Sequence, residues 1–379
     1  MRQRLLVATT ILLLLPALLP AMPEVDDTVT IEESESRDAR FRVRRVLGGI
    51  AHPWSIAFLD DESYLVTERP GALYLVSRGE VSRIEGLPDI AANGQGGLLD
   101  LLVDPDFQDN QLIYFTYSAS GSEGLGTRLM RARLEGTTLT DEELLFTMEE
   151  GGSGGRHFGS RIVMDSDGYI YMSIGDRGER DRAQDPADHA GKILRLTSDG
   201  QVPSNNPFVE QEDALPEIFT LGNRNAQGMS VHPETGQVWA HEHGPRGGDE
   251  INIIESGANY GWPEVSYGRE YAGGRISRSP TAPEFRDPLL HWTPSIAPSG
   301  MTFYTGEVFP GWEGDIFVGA LVGRHLRRVE LDGSRVTDQE VLLADELGRI
   351  RDVEVGPDGY LYILIDDSRG AIFRLEPVE

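Results

Sequence analysis

A chain of 379 residues is long enough for a large core, and its total lack of cysteine excludes disulfides, cysteine-zinc sites and thiol catalysis together. The formal net charge of −28 argues against nucleic acid and anionic membrane surfaces as partners and favours solubility and cation binding. Of the 34 basic residues only Lys192 is a lysine; the others are arginine.

Residues 1–22 read as a secretory signal. Arg2 and Arg4 precede the uncharged run Leu5–Leu15, and Pro16 and Pro20 break it ahead of the small Ala21. An apolar stretch this short suits a signal peptide better than a membrane span, which takes about 20 residues. An uncleaved N-terminal anchor is the alternative reading. The expected location is periplasmic or secreted, without stable membrane association once the signal is removed. Residues 23–40 are acid-rich and polar and are expected to form a flexible leader. The folded domain is expected at 41–379.

From Phe41 onward one unit recurs: a turn rich in Asp, Pro or Gly, a four-residue apolar strand, a loop and a second strand. The first strands are Tyr64–Thr67, Ile113–Thr116, Ile170–Ser173, Val238–His241, Ile316–Gly319 and Leu361–Leu364, with starts 49, 57, 68, 78 and 45 residues apart. Partner strands follow at Ala72–Val76, Leu129–Leu134, Lys192–Leu196, Glu250–Ile254, Leu326–Leu331 and Ala371–Leu375. β-branched and aromatic residues bounded by Asp-Gly and Pro-Gly turns are hairpin signals. A β-sandwich does not explain six copies of one motif, and a β-helix repeats at much shorter intervals. The spacing predicts an all-β, six-bladed propeller of four-stranded antiparallel blades. The long gaps after the third and fourth copies predict large loops, where function concentrates. Trp239, Trp292 and Trp312 are expected in the packing between blades.

Three windows carry residues suited to chemistry. In Gly151–Lys192, His157 follows a glycine-rich loop and Asp176 ends the next strand of the same hairpin, so an imidazole and a carboxylate can meet at one rim. That pairing suits a general base, because the carboxylate fixes the tautomer and stabilises the imidazolium. The same two residues equally suit a surface-loop histidine and an unrelated turn aspartate.

In Leu221–Trp262, Arg224, Asn225 and Gln227 offer a guanidinium fork and two amides to a planar, oxygen-rich ligand. His241 and His243 alternate toward one side of a strand, but no third ligand for zinc is evident. The loop Gly244–Glu250 combines carbonyls with Asp249 and Glu250, hard oxygen donors that fit calcium, although a Gly/Pro turn with solvated acids is the commoner origin of such a loop taken alone. In Leu347–Asp352, Arg349 and Arg351 alternate on a strand, toward a ligand with several carboxylates or toward solvent. Gln95 lies in a glycine-rich loop at a comparable position ahead of an early strand. Glu179–Arg182 reads as a solvated charge run.

These windows resemble the soluble glucose/sorbosone dehydrogenase family, and the compact loops resemble its shorter aldose sugar dehydrogenase branch. The resemblance rests on HPWSIAF (52–58), GQGGLLDL (94–101), RHFGSR (156–161), GDRGERDRAQD (175–185), GNRNAQG (222–228), EHGPRGGDEIN (242–252), ANYGWP (258–263), GRIRDV (348–353) and GPDGYLYIL (356–364), in order along nearly the whole chain. It implies a six-bladed propeller that uses pyrroloquinoline quinone (PQQ) and calcium to oxidise a sugar at C1, passing electrons to an external acceptor.

The resemblance further implies His157 as the base, Asp176 as its orienting carboxylate and Arg224 as a catalytic and cofactor-binding residue. Gln95, Asn225, His243, Arg349 and Arg351 fall on positions that hold cofactor or substrate. The Gly244 and Pro245 carbonyls match ligands of the calcium beside PQQ, and Glu250 and Tyr260 match a second, structural calcium site. Where some members place a lysine near the cofactor, this chain offers Arg324. Arg156 stands where the glucose enzymes carry an acid, and His243 where some relatives carry an amide. A calcium-dependent lactonase and a non-catalytic ligand-binding propeller are the rival readings of the same architecture.

Overall fold

The computed structural model describes residues 22–378; the expected signal at 1–22 falls almost wholly outside them. Six antiparallel sheets follow one another along the described chain. Blade 1 runs Pro53–Asp60, Ser63–Glu68, Ala72–Ser77, Glu80–Arg83, and blade 2 runs Leu98–Val103, Leu112–Gly121, Gly124–Glu135, Thr138–Thr147. Blade 3 is Ile162–Met164, Tyr169–Ile174, Lys192–Thr197, Ile218–Thr220, and blade 4 is Ala226–Val231, Val238–Glu242, Asp249–Ile253, Leu290–Trp292. Blade 5 is Pro298–Phe303, Ile316–Ala320, Leu326–Asp332, Arg335–Leu342. Blade 6 combines Ile350–Val355, Leu361–Ile365 and Gly370–Pro377 with Arg40–Ile50 from the start of the domain, in the register Phe41↔Pro377 to Ile50↔Gly370. The first strands of the blades touch one another in a closed ring, so the chain is a six-bladed propeller sealed by its own N-terminal strand.

The recurring apolar tetrads are the second strands of the six blades and their partners the third. Each second strand is buried on both faces, which is why it reads as an apolar run rather than an alternation. In blade 2, Tyr114 packs toward blade 3 with Ile170 and Met172, while Ile113 and Phe115 pack toward blade 1 with Leu65 and Leu73. Trp239 and Trp292 fill the contact between blades 4 and 5, and Trp312 that between blades 5 and 6. The large loops join third and outer strands, at 198–217 in blade 3 and 254–289 in blade 4.

The acidic leader departs from expectation. Glu24–Glu35 is a fifth, outermost strand of blade 6, paired with Arg40–Ile50 from Glu24↔Gly48 to Glu35↔Arg40. Its side chains are mostly exposed, so no hydrophobic alternation marks it in sequence. Its acids face arginines of the next strand, with Arg44–Asp27 at 2.9 Å and pairs Arg45–Asp26 and Arg40–Glu33, and Ile31 packs on the core. A charged strand in this position also blunts the sheet edge against pairing with other chains.

Candidate active site

Inner strands begin, and second strands end, on one face of the propeller. Residues at those two points line a cavity of about 310 Å³. From the starts of inner strands come Trp54, Gln95, Leu99, Phe158, Gly159, Asn225, Gln227, Ala297, Arg349 and Arg351; from just past second strands come Arg69, His243, Leu321 and Asp366. The expected residues Gln95, Asn225, His243, Arg349 and Arg351 are therefore brought together although they lie in three different blade regions.

His157 stands beside this cavity rather than in its wall. Its neighbours Phe158 and Gly159 are wall residues, and so is Gln95, whose Oε1 accepts the His157 backbone N–H at 2.7 Å. The His157 backbone takes a left-handed φ of +54°, an unfavourable conformation for a side-chain-bearing residue. It is held there by contact with Gly175, where any Cβ would strike the His157 carbonyl. The consequence is that His157 Nδ1 lies 2.6 Å from Asp176 Oδ1. Asp176 is 1% exposed and also accepts the Gly178 N–H at 2.7 Å and, on Oδ2, the Trp262 indole N–H at 2.9 Å.

Burial lowers the His157 pKa below the usual histidine value, against the raising hydrogen bond to Asp176 and with help from Arg224 and Arg156. Burial alone would raise Asp176, but the bonds from His157 and Gly178 and the charge of Arg224 hold it below the ordinary carboxylate range. A neutral imidazole with Nδ1–H given to an ionised carboxylate leaves Nε2 as the free base.

Arg224 lies against the Trp262 ring, 5.2 Å from its centre, and gives Nη1–H to the His243 carbonyl at 2.9 Å. Its Nε is buried without a partner. His243 sets Nε2 2.6 Å from the Pro298 carbonyl, and burial keeps its pKa well below the usual value. His241 is fully buried with neither ring nitrogen hydrogen-bonded. The charge run is not simply solvated: Arg182 is bonded to Asp188 at 2.6 Å, and Arg180 reaches Glu270 at 2.7 Å.

Arg324 does not reach the cavity. Its side chain is half exposed and pairs with Asp345 at 3.3 Å on the surface, because the chain turns away from the cavity after Leu321 and Val322, which line it.

Arg69, Asp366 and Trp54 are among the wall residues that the sequence alone does not single out. A signal for the first two exists. Arg69, His243, Leu321 and Asp366 each stand two residues past the apolar tetrad of their blade, and Asp176 stands three past. His52, also missed, holds Asp366 Oδ1 at 2.7 Å, and Asp366 Oδ2 lies 3.3 Å from Arg349 and 3.8 Å from Arg351. The cavity thus gathers three guanidinium groups against one carboxylate. Burial, with Arg349 and Arg69 nearby, brings Arg351 down to about 10. A site short of anions in this way fits a flat ligand with several carboxylates, as PQQ is.

Under the cavity floor, Arg161 is buried between Asp100 at 2.9 Å and Asp352 at 3.0 Å, lies 4.4 Å from the Trp54 ring centre and donates to the Gln227 carbonyl at 2.9 Å. This charged knot ties inner strands of blades 2, 4 and 6 to the segment carrying His157.

The expected calcium residues Gly244, Glu250 and Tyr260 border one small space of about 10 Å³ together with Arg224 and Glu242. Burial pushes Glu242 up to about 7 and raises Glu250 well above the usual range, with Glu242 adding to the effect. Glu242 already accepts the Arg224 and Asn225 N–H groups and the Asn223 amide, so Glu250, next to a backbone where the Gly247 and Gly248 carbonyls crowd Gly244, is the carboxylate that fits a hard cation. Pro245 lies outside this space and its carbonyl takes the Arg269 N–H at 2.9 Å. The Tyr260 hydroxyl is committed to the Ile253 carbonyl at 2.7 Å, which leaves that residue's backbone oxygen as its donor. Asp249 is committed too, accepting from Gly244, Ser295, Ile296 and Ala297. Among the described residues, no three histidine or carboxylate side chains form a metal-binding group.

A family described as Glucose / Sorbosone dehydrogenase matches residues 50–374. Aldose sugar dehydrogenase YliI of Escherichia coli is 40% identical over 334 residues, covering 86% of this chain and 90% of that protein. The crystal structure of the soluble aldose sugar dehydrogenase from Escherichia coli in the apo-form superposes with a TM-score of 0.87 at 39% identity, over 89% of this chain and 100% of that one. The PQQ-bound form of aldose sugar dehydrogenase from Streptomyces coelicolor superposes with a TM-score of 0.73 at 25% identity, over 89% and 99% of the two chains. This chain therefore belongs to the glucose/sorbosone dehydrogenase family of oxidoreductases.

Proposed function

We propose that this protein is a PQQ- and calcium-dependent aldose dehydrogenase, oxidising a sugar at C1 to the lactone and passing electrons to an external acceptor. The observation that carries the reading is a His–Asp dyad standing beside a cavity with three arginines and one carboxylate. Arg349, Arg351 and Asn225 would hold PQQ, the Gly244 and Pro245 carbonyls would hold the calcium beside it, and Glu250 with the Tyr260 carbonyl would hold a second, structural calcium. Bound there, PQQ supplies the two-electron acceptor for the C1 hydride and calcium a Lewis acid that makes it more electrophilic.

The chain's own part is acid–base and positional. His157 Nε2 takes the proton of the anomeric hydroxyl as the hydride leaves C1. Asp176 keeps Nδ1 protonated and stabilises the imidazolium, and Trp262 and Gly178 fix Asp176 in turn. Arg224, over Trp262 and beside the dyad, favours the neutral imidazole before proton uptake and offers a donor to developing oxyanion charge. Export through residues 1–22 would put this chemistry in the periplasm or outside the cell. Among the described residues no helix is long and apolar enough to cross a membrane.

The test is to load purified apo-protein with calcium and PQQ and follow dye reduction over a panel of aldoses. Turnover of at least one aldose, dependent on PQQ, supports the reading. Bound PQQ without turnover of any aldose removes the substrate assignment.

A further inference from the structure

Arg69 is the one cavity arginine that no sequence motif singled out. It follows the second strand of blade 1, at the offset that supplies His243 in blade 4 and Asp366 in blade 6. Its backbone is fixed on both sides: its N–H goes to the His52 carbonyl at 3.1 Å, and its carbonyl takes the Leu98 N–H at 3.0 Å. Gly97, at φ +154°, has no room for a Cβ against that carbonyl. The guanidinium touches the Gly94 carbonyl, and among the described residues no carboxylate pairs with it. In the adjoining blade 6, Arg349 and Arg351 already share Asp366, which His52 also holds. Two positive charges are therefore surplus in the cavity. A planar donor fork is the group suited to a carboxylate brought there from water.

We propose that Arg69 is a third guanidinium anchor for a carboxylate of bound PQQ, in the place for which the sequence offers Arg324. The proposal rests on the PQQ reading above. Arg324, half exposed and paired with Asp345, does not take part.

The experiment titrates apo-protein by absorbance with PQQ and, separately, with its trimethyl ester, which keeps the ring system and loses the charges. Arg69→Gln is expected to weaken PQQ roughly 10- to 100-fold, the range of a hydrogen bond to a charged group, and to change ester binding little. Arg69→Lys recovers part of the loss and carries the test if Arg69→Gln does not fold. Arg324→Gln binds both probes as the parent does. PQQ binding unchanged in Arg69→Gln would overturn the proposal. So would equal loss of PQQ and ester, which would make Arg69 a support for the 94–97 loop. A parent protein that binds no PQQ overturns the functional reading and takes this inference with it.

Discussion

His157 Nδ1 lies 2.6 Å from Asp176 Oδ1, and the second oxygen of that aspartate accepts the Trp262 indole at 2.9 Å. The dyad is thus braced from blade 4 as well as blade 3, since Trp262 comes from the long loop of blade 4. Bracing matters because a base must present Nε2 in one tautomer and one orientation at the moment of proton transfer.

Asp176→Asn replaces the acceptor that holds Nδ1–H by an amide that can equally donate. The expected outcome is a loss of about 10²- to 10⁴-fold in kcat/KM, the usual range for a misoriented general base. PQQ affinity should stay near the parent value. Steady-state dye reduction and a cofactor titration on the same preparation separate the two.

The acid limb of the pH profile follows from the lowered His157 pKa. The base works only when neutral, so a group titrating below the usual value of about 6.5 stays competent at lower pH. Activity should persist as pH falls through 6.5 and be lost only below it. A plot of kcat/KM against pH with its acid limb above 6.5 would contradict this assignment.

Arg161→Met leaves Asp100 and Asp352 buried without their counter-ion; burial already raises Asp352 to about 6. Removing one partner of a buried ionic group typically costs about 3–5 kcal/mol. Denaturant unfolding of the apo-protein should show a loss of that size. Arg78→Met, which breaks an exposed pair with Glu62, should change stability little.

Calcium should raise the melting temperature of the apo-protein. An ion at 100 times its Kd adds about 2.7 kcal/mol to the stability of the folded state. Glu250→Gln removes a carboxylate at the proposed site, so the calcium-dependent rise measured by differential scanning calorimetry should shrink.

The six second strands and their partners are legible because each is an apolar run between turns. The inner strands are not, because they carry Asp100, Gln227 and Asp352 into the axis of the propeller and break the apolar pattern. His157 and Asp176 could be paired on paper because one hairpin carries both. Asp366 and His52 could not, since 314 residues separate them and only ring closure brings them together. Arg324 fails for a related reason: its place in a motif says nothing about which way the loop turns. The outer strand Glu24–Glu35 leaves no hydrophobic mark, as its partners are backbone groups and arginines.

The most direct test of the central claim is an anaerobic one. Calcium and stoichiometric PQQ are added to the purified protein, the absorption spectrum is recorded, and an aldose is then mixed in without any dye. The account predicts that the bound quinone is reduced by sugar in a single turnover, and that His157→Ala binds PQQ as before but is not reduced on that timescale. A parent whose bound PQQ stays oxidised with every aldose, or a His157→Ala variant reduced as fast as the parent, would contradict it.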